Sequence, residues 1–248
     1  MKTLLAAFLL CSSAFCQVRV PGPGGIAPSS GGSGPALIKH VLATPGSDGG
    51  MSAAIDTTGG DFAVIAVASF TSGGFTISDA RTGCANPCNT WTSTLTQYSS
   101  GGIYPYLKFY YSQNPTVGAG HTFSCVGVGT YCTFDVAVFS GMKTTGVWVS
   151  GQDAGNGSSS AVASLATGSI TPGTGYQLVV TGMAEEVVGT YTTPSTFTLV
   201  DSAAYNPGTS WGIGMAYLVQ YPGAAINPSW GLSPVSAGAV NVASFVGM

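Results

Sequence analysis

The ten residues DFAVIAVASF, positions 61–70, constrain the fold more than any other stretch of this chain. In an extended strand successive side chains point to opposite faces, so Phe62, Val64 and Ala66 line one face and Ala63, Ile65 and Val67 the other. Both faces are apolar, as in a central strand covered twice.

The rest of the sequence supplies material for such covers. Strand-like runs rich in Thr, Val, Tyr and Phe follow one another: ALIKHVLAT, FTISDA, TWTSTLTQ, YPYLKFYYS, YCTFDVAVFS, GVWVSG, YQLVVTGM, FTLVDSA, GMAYLVQY and VNVASFVGM. None shows a sustained helical period, and the 37 glycines fall largely between the runs, so the chain reads as all-β with tight turns. With 45% hydrophobic residues the 248-residue chain can fill a large core. In YPYLKFYYS, Leu107 and Phe109 face one way and Tyr104, Tyr106, Lys108 and Tyr110 the other, with Pro105 marking an edge or strand start.

The first 16 residues, MKTLLAAFLLCSSAFC, place a lysine, an apolar run and small residues in the order of a secretory signal peptide. Residues 17–35 are a Pro/Gly/Ser-rich linker, and a single domain is expected over 36–248. No stretch has the roughly 18 apolar residues of a spanning helix, so no membrane span is expected. The expected address is secreted, in the medium or at the cell surface. A net charge of −3 without any Lys/Arg cluster gives no means of neutralising a phosphate backbone, which argues against nucleic acid as a partner.

Cys84, Cys88, Cys125 and Cys132 remain beyond the leader, an even set that reads as disulfides in an exported chain. Three connectivities are open. The spacing favours Cys84–Cys88 as a loop clasp and Cys125–Cys132 as a staple across a hairpin turned at Gly127 and Gly129. Zinc would want closer cysteine spacing or more histidines than His40 and His121.

A weak repeat relates the two halves. DFAVIAVASF and FTISDA are answered by YQLVVTGM and FTLVDSA, and DVAVFSGM (135–142) by NVASFVGM (241–248). The expected architecture is a two-sheet antiparallel β-sandwich of jelly-roll type, with two pseudo-repeated halves. The entry GGDFAVIAV, the SDA corner, the Asn89-Thr90-Trp91 turn end and the later VAVFSG resemble the jelly-roll, concanavalin-A-like modules of secreted and surface proteins of bacteria. In those modules the corner reads Asp-x-x-Gly-Asn-Thr-aromatic; here Asp79 and Asn89-Thr90-Trp91 match, with RTGCANPC inserted between them. The resemblance implies a fold more than a function.

Catalytic patterns are thin. GTSWG has the G-x-S-x-G spacing around Ser210, but no histidine follows residue 121 and no helix follows Gly212. Glycoside hydrolysis needs two carboxylates at a fixed separation. The only glutamates, Glu185 and Glu186, are adjacent and read as a solvated strand end; a pair would need Asp135, Asp153 or Asp201. A lyase would draw on Arg81, Lys108 and Lys143, which are scattered. Asp79, Asn86 and Asn89 are oxygen ligands suited to a structural calcium, although Asp79 equally suits a turn cap; no other cofactor is implied. Aromatic rings on a rigid sheet can stack on sugars, which makes Tyr104, Tyr106, Tyr110 and Trp91 the candidate platform, with Trp148, Trp211 and Trp230 as further rings near turns. The sequence therefore points to a non-enzymatic surface or carbohydrate-binding module whose partner is a polysaccharide or cell-surface component. A structural or adhesion module contacting proteins, and a glycosidase, are the alternatives.

Overall fold

A computed structural model describes residues 34–44, 49–70, 76–84, 86–93, 98–100, 103–127, 131–207 and 211–248. The expected signal sequence and nearly all of the expected linker lie outside these residues, as does Ser210. The described residues belong to one compact unit, Gly32–Met248. They form strands and connections without a helix, and so contain no helix long and apolar enough to cross a membrane.

The first half contains β1 (Ala36–Ala43), β2 (Gly49–Met51), β3 (Phe62–Ser69), β4 (Thr76–Ala80), β5 (Thr92–Ser93), β6 (Tyr98–Ser100), β7 (Ile103–Gln113), β8 (Thr122–Val126) and β9 (Thr133–Ser140). The second contains β10 (Trp148–Ala166), β11 (Gln177–Glu185), β12 (Thr190–Thr192), β13 (Thr198–Ala203), β14 (Gly212–Gln220) and β15 (Ser229–Val246). One main sheet runs β1-β9-β3-β7-β5, with β6 also on β7; the other runs β10-β15-β11-β14-β13. All pairings are antiparallel.

The two main sheets pack face to face. Phe62, Val64, Phe109 and Phe139 of the first meet Leu178, Val180, Met215 and Phe245 of the second in one core. Phe245 is its centre, with ring centroids 4.7 Å from Phe62, 5.6 Å from Tyr111 and 5.8 Å from Trp148.

The expectation for residues 61–70 is met: β3 is buried along its whole length. Its second face, Ala63, Ile65 and Val67, packs under a three-stranded sheet of order β2-β8-β4 through Phe123 and Cys125. The sandwich thus gains an outer layer. The other main sheet gains one too, because β10 and β15 run beyond it. Residues 162–166 and 229–236 of these strands pair with one another, and β12 joins at 231–233. There Trp230 covers Met183 and Ala216 and donates from Nε1 to Thr181 Oγ1 at 3.1 Å. Gly214 is required below it, since a Cβ there would come within 3.0 Å of the Trp230 ring.

The repeat is therefore structural and reaches beyond the matching words. β1, β3, β5, β7 and β9 occupy the same sheet order as β10, β11, β13, β14 and β15. Register agrees residue by residue: Val64 lies between Ala137 and Tyr111, as Val180 lies between Ala243 and Tyr217. The isolated bridges Ile55 to His121 and Ile170 to Ile226 also correspond. One sequence pairing is corrected. FTISDA forms β4 of the outer layer whereas FTLVDSA enters main-sheet β13, whose counterpart is β5; strand composition alone does not separate layers.

Both expected disulfides form, with Cα separations of 5.4 Å for Cys84–Cys88 and 6.3 Å for Cys125–Cys132. The second is not a hairpin staple: β8 lies in the outer layer and β9 in the main sheet, so the bond ties two layers together. Pro105 sits where the β6–β7 ladder is irregular, a position at which its missing N–H is tolerated.

Truncating Phe245 to Ala empties the centre of the shared core and is expected to cost about 4 kcal/mol. Urea unfolding should show this as a lower midpoint with an unchanged slope.

Candidate functional site

The corner that carries the inserted cysteines is held from below by a buried polar network. Asp79, on β4, is 1% exposed; its Oδ2 accepts from His121 Nε2 at 2.8 Å and Asn89 Nδ2 at 2.5 Å, and its Oδ1 from Asn89 N and Trp91 Nε1, both at 3.0 Å. His121 stacks on Phe123 with centroids 4.4 Å apart and meets Thr57 Oγ1 through Nδ1 at 2.9 Å. Asn89 extends the network by accepting from Thr116 N at 2.5 Å. The loop hangs from this frame: Cys88 N donates to the Asp79 carbonyl at 3.0 Å and Cys84 N to the Arg81 carbonyl at 3.1 Å. Burial works against the Asp79 carboxylate, but hydrogen bonds from His121, Trp91 and Asn89 outweigh it and hold the carboxyl below its ordinary value.

Thr57, His121 and Asp79 stand in the row of a nucleophile, base and acid, an arrangement the sequence reading did not find. The row is structural. Thr57 is fully buried, and its hydroxyl oxygen also accepts from Gly118 N at 3.0 Å. A nucleophile needs room for a reacting carbonyl beside it, and here the hydroxyl is enclosed by the 118 backbone and the imidazole.

Above this frame lies an open pocket of about 330 Å³. Residues 88–90 and Thr92 form one wall, residues 111–114 at the end of β7 the other. The side chains offered are Thr90, Thr92, Ser112, Gln113 and Asn114, neutral hydrogen-bonding groups without a carboxylate or ammonium. Asn114 adopts φ 49°, a left-handed conformation that asparagine tolerates better than most residues. Sequence reasoning had no signal for this pocket, because its two walls are about twenty residues apart and meet only through β5–β7 pairing.

The aromatic candidates divide. Trp91 and Tyr110 are half-buried and pack against the outer-layer core, Trp91 edge-on to Phe123 and Tyr110 with Lys108 Nζ 5.2 Å from its ring centroid. Burial raises the Tyr110 phenol. Tyr106 is half-buried on the same face of β7. Tyr104 lies on β7, with its side chain outside the described residues. Trp148 is half-buried, and Trp211 and Trp230 are core residues. All three calcium candidates are engaged within the protein, Asp79 and Asn89 in the network and Asn86 by accepting a hydrogen bond from Ser78 Oγ.

Of the candidate carboxylates, Asp135 and Asp201 lie near one another, whereas Glu185 stands apart from Asp135. Asp135 is fully buried in the inter-sheet core, where burial and the nearby Asp201 charge raise its carboxyl well above the usual range. Asp201 is held by His40 Nδ1 at 3.3 Å. Glu185 is not a solvated strand end. It is 1% exposed, and burial pushes its carboxyl up to about 7. By strand alternation it lies with Met183 on the outer side of the second sheet, the face opposite the core that encloses Asp135. Compared with known protein families, curated proteins and solved structures, the chain finds no match.

Replacing Asp79 by Ala should cost about 3 kcal/mol, since it leaves buried donors without an acceptor. The depressed Asp79 carboxyl contributes stability that is present above pH about 4 and lost as pH falls through the lower folded value. Glu185 acts with the opposite sign: its raised carboxyl lowers stability as pH rises from about 4.5 towards 7. A denaturation series against pH should therefore show Asp79→Ala flattening the acid limb and Glu185→Gln flattening the fall towards neutrality.

Proposed function

We propose that the protein is an exported, non-enzymatic carbohydrate-binding module of jelly-roll type, whose binding site is the pocket beside the Cys84–Cys88 loop. The observation that carries this reading is the pocket's chemistry: a concave surface lined by uncharged hydroxyl and amide groups, beside a disulfide-closed loop and anchored to a buried network through Asn89. Neutral sugars present many hydroxyls and no charge, so such a lining matches them better than it matches phosphate or an acidic peptide. A pinned loop loses little conformational entropy on binding. The disulfides fit an oxidising compartment, as the leader-like N-terminus requires. The strand order shared by the halves supports the jelly-roll resemblance.

The glycosidase alternative is disfavoured because Asp135 and Glu185 lie on opposite faces of the second sheet, and none of Asp135, Asp153, Asp201 and Glu185 lines the pocket. Mature protein should be mixed with insoluble polysaccharides of several linkages while bound protein and released reducing ends are measured together. Retention without release is expected, weakened at least about tenfold, or ~1.4 kcal/mol, in a Thr90→Ala, Gln113→Ala double variant. Release of reducing ends would favour the glycosidase, and absence of retention on every polymer would leave the adhesion reading in front.

A further inference from the structure

We infer that the second half carries a saccharide site of its own, at an open pocket of about 240 Å³ formed by residues 194–197 and 226–229. This inference rests on the carbohydrate reading of the first pocket and adds a second locus to it.

The repeat locates the site. Thr92 pairs with Tyr111 as Thr198 pairs with Tyr217, which places Cys88-Asn89-Thr90-Trp91-Thr92 opposite Pro194-Ser195-Thr196-Phe197-Thr198. Trp91 packs on the outer core of its half, and Phe197 packs on the outer core of the other. The two corners differ in what lies between them and the preceding strand. In the first half β4 continues to Ala80, pairs with Thr122 and leads into the disulfide loop. In the second half β12 ends at Thr192 and the corner turns at once. The strip 226–229, counterpart of 121–124, is consequently left open on that side and becomes a pocket wall.

The chemistry repeats as well. Ser195, Thr196, Asn227 and Ser229 offer hydroxyls and an amide, Phe197 offers a half-buried ring, and no charged side chain lines the space. Asn227 is oriented by Gly168 N, which donates to its Oδ1 at 3.0 Å. Thr196 has φ 95°, a conformation that a β-branched residue adopts only when its surroundings enforce it and that concentrates at ligand sites. Of the three non-glycine residues with positive φ among the described residues, Asn114 lines the first pocket and Thr196 the second. A ring to cover an apolar sugar face, with fixed polar groups around it, is a subsite for one or two neutral pyranose units.

Two sites on one rigid unit make the chain bivalent. Retention on a polymer then exceeds affinity for a short oligosaccharide by about 100-fold or more where one polymer reaches both. The test is calorimetric titration of the mature protein with cello-, xylo- and manno-hexaose, alongside retention on the corresponding polymers. The variants are Ser195→Trp, which fills the second pocket from an exposed position, Asn227→Ala as an independent lesion there, and Gln113→Ala in the first pocket. The expected result is two equivalents bound by the wild type and one by each single-pocket variant, with polymer retention falling disproportionately. One equivalent in the wild type, abolished by Gln113→Ala and untouched by Ser195→Trp and Asn227→Ala, overturns the second site while leaving the first intact. No binding of any hexaose or polymer overturns both.

Discussion

Everything in this structure follows from two strands that are buried on both faces. β3 and β11 are each buried along their full length, so each must be covered twice. The face-to-face contact of the main sheets supplies one cover for both strands at once. The second cover must come from each half separately, which is why both halves fold their remaining strands over the outside. Most of the buried large side chains, including Phe62, Phe123, Phe245 and Trp230, serve one of these contacts.

The two halves solve the same packing problem with different chemistry. Beneath the second corner, Ile170, Ile226 and Phe197 form an apolar patch. Beneath the first, Ile55 remains, but His121 stands in place of Ile226 and is joined by Asp79 and Asn89. Buried ionic and polar groups are often no more stabilising than apolar residues of similar volume. The topology therefore does not require the network, since its own second copy is built without one. What the first half has in addition is the loop from Arg81 to Cys88, and the network's hydrogen bonds run to that loop and its flanks. Specific geometry, rather than added stability, is what directional bonds of this kind supply.

Much of the architecture was legible in the chain. Period-two patterning gave the strands, the double apolar face of residues 61–70 gave a central position, and the match of 135–142 to 241–248 gave the duplication. Layer assignment was not legible, because Thr- and Val-rich strands look alike whether they join a main sheet or a cover. That ambiguity misplaced FTISDA and turned a bond between layers, Cys125–Cys132, into an expected hairpin staple. The site was harder still. Asp79, Thr57 and His121 are separated by 22 and more positions along the chain and meet only through the pairing of β4 with β8 and the bridge at Ile55. In the sequence Trp91 stands out for its ring, yet what the structure uses is also its indole N–H, donated to Asp79.

The shorter corner of the second half has an engineering meaning. It shows, within one molecule, that this turn can be closed without the segment between Asp79 and Asn89, and that the surrounding sheet order survives the difference. The disulfide-bounded segment is thus a replaceable cassette. Its sequence can diversify under selection, or at the bench, while the frame that presents it stays fixed, much as a variable loop is displayed on a constant scaffold.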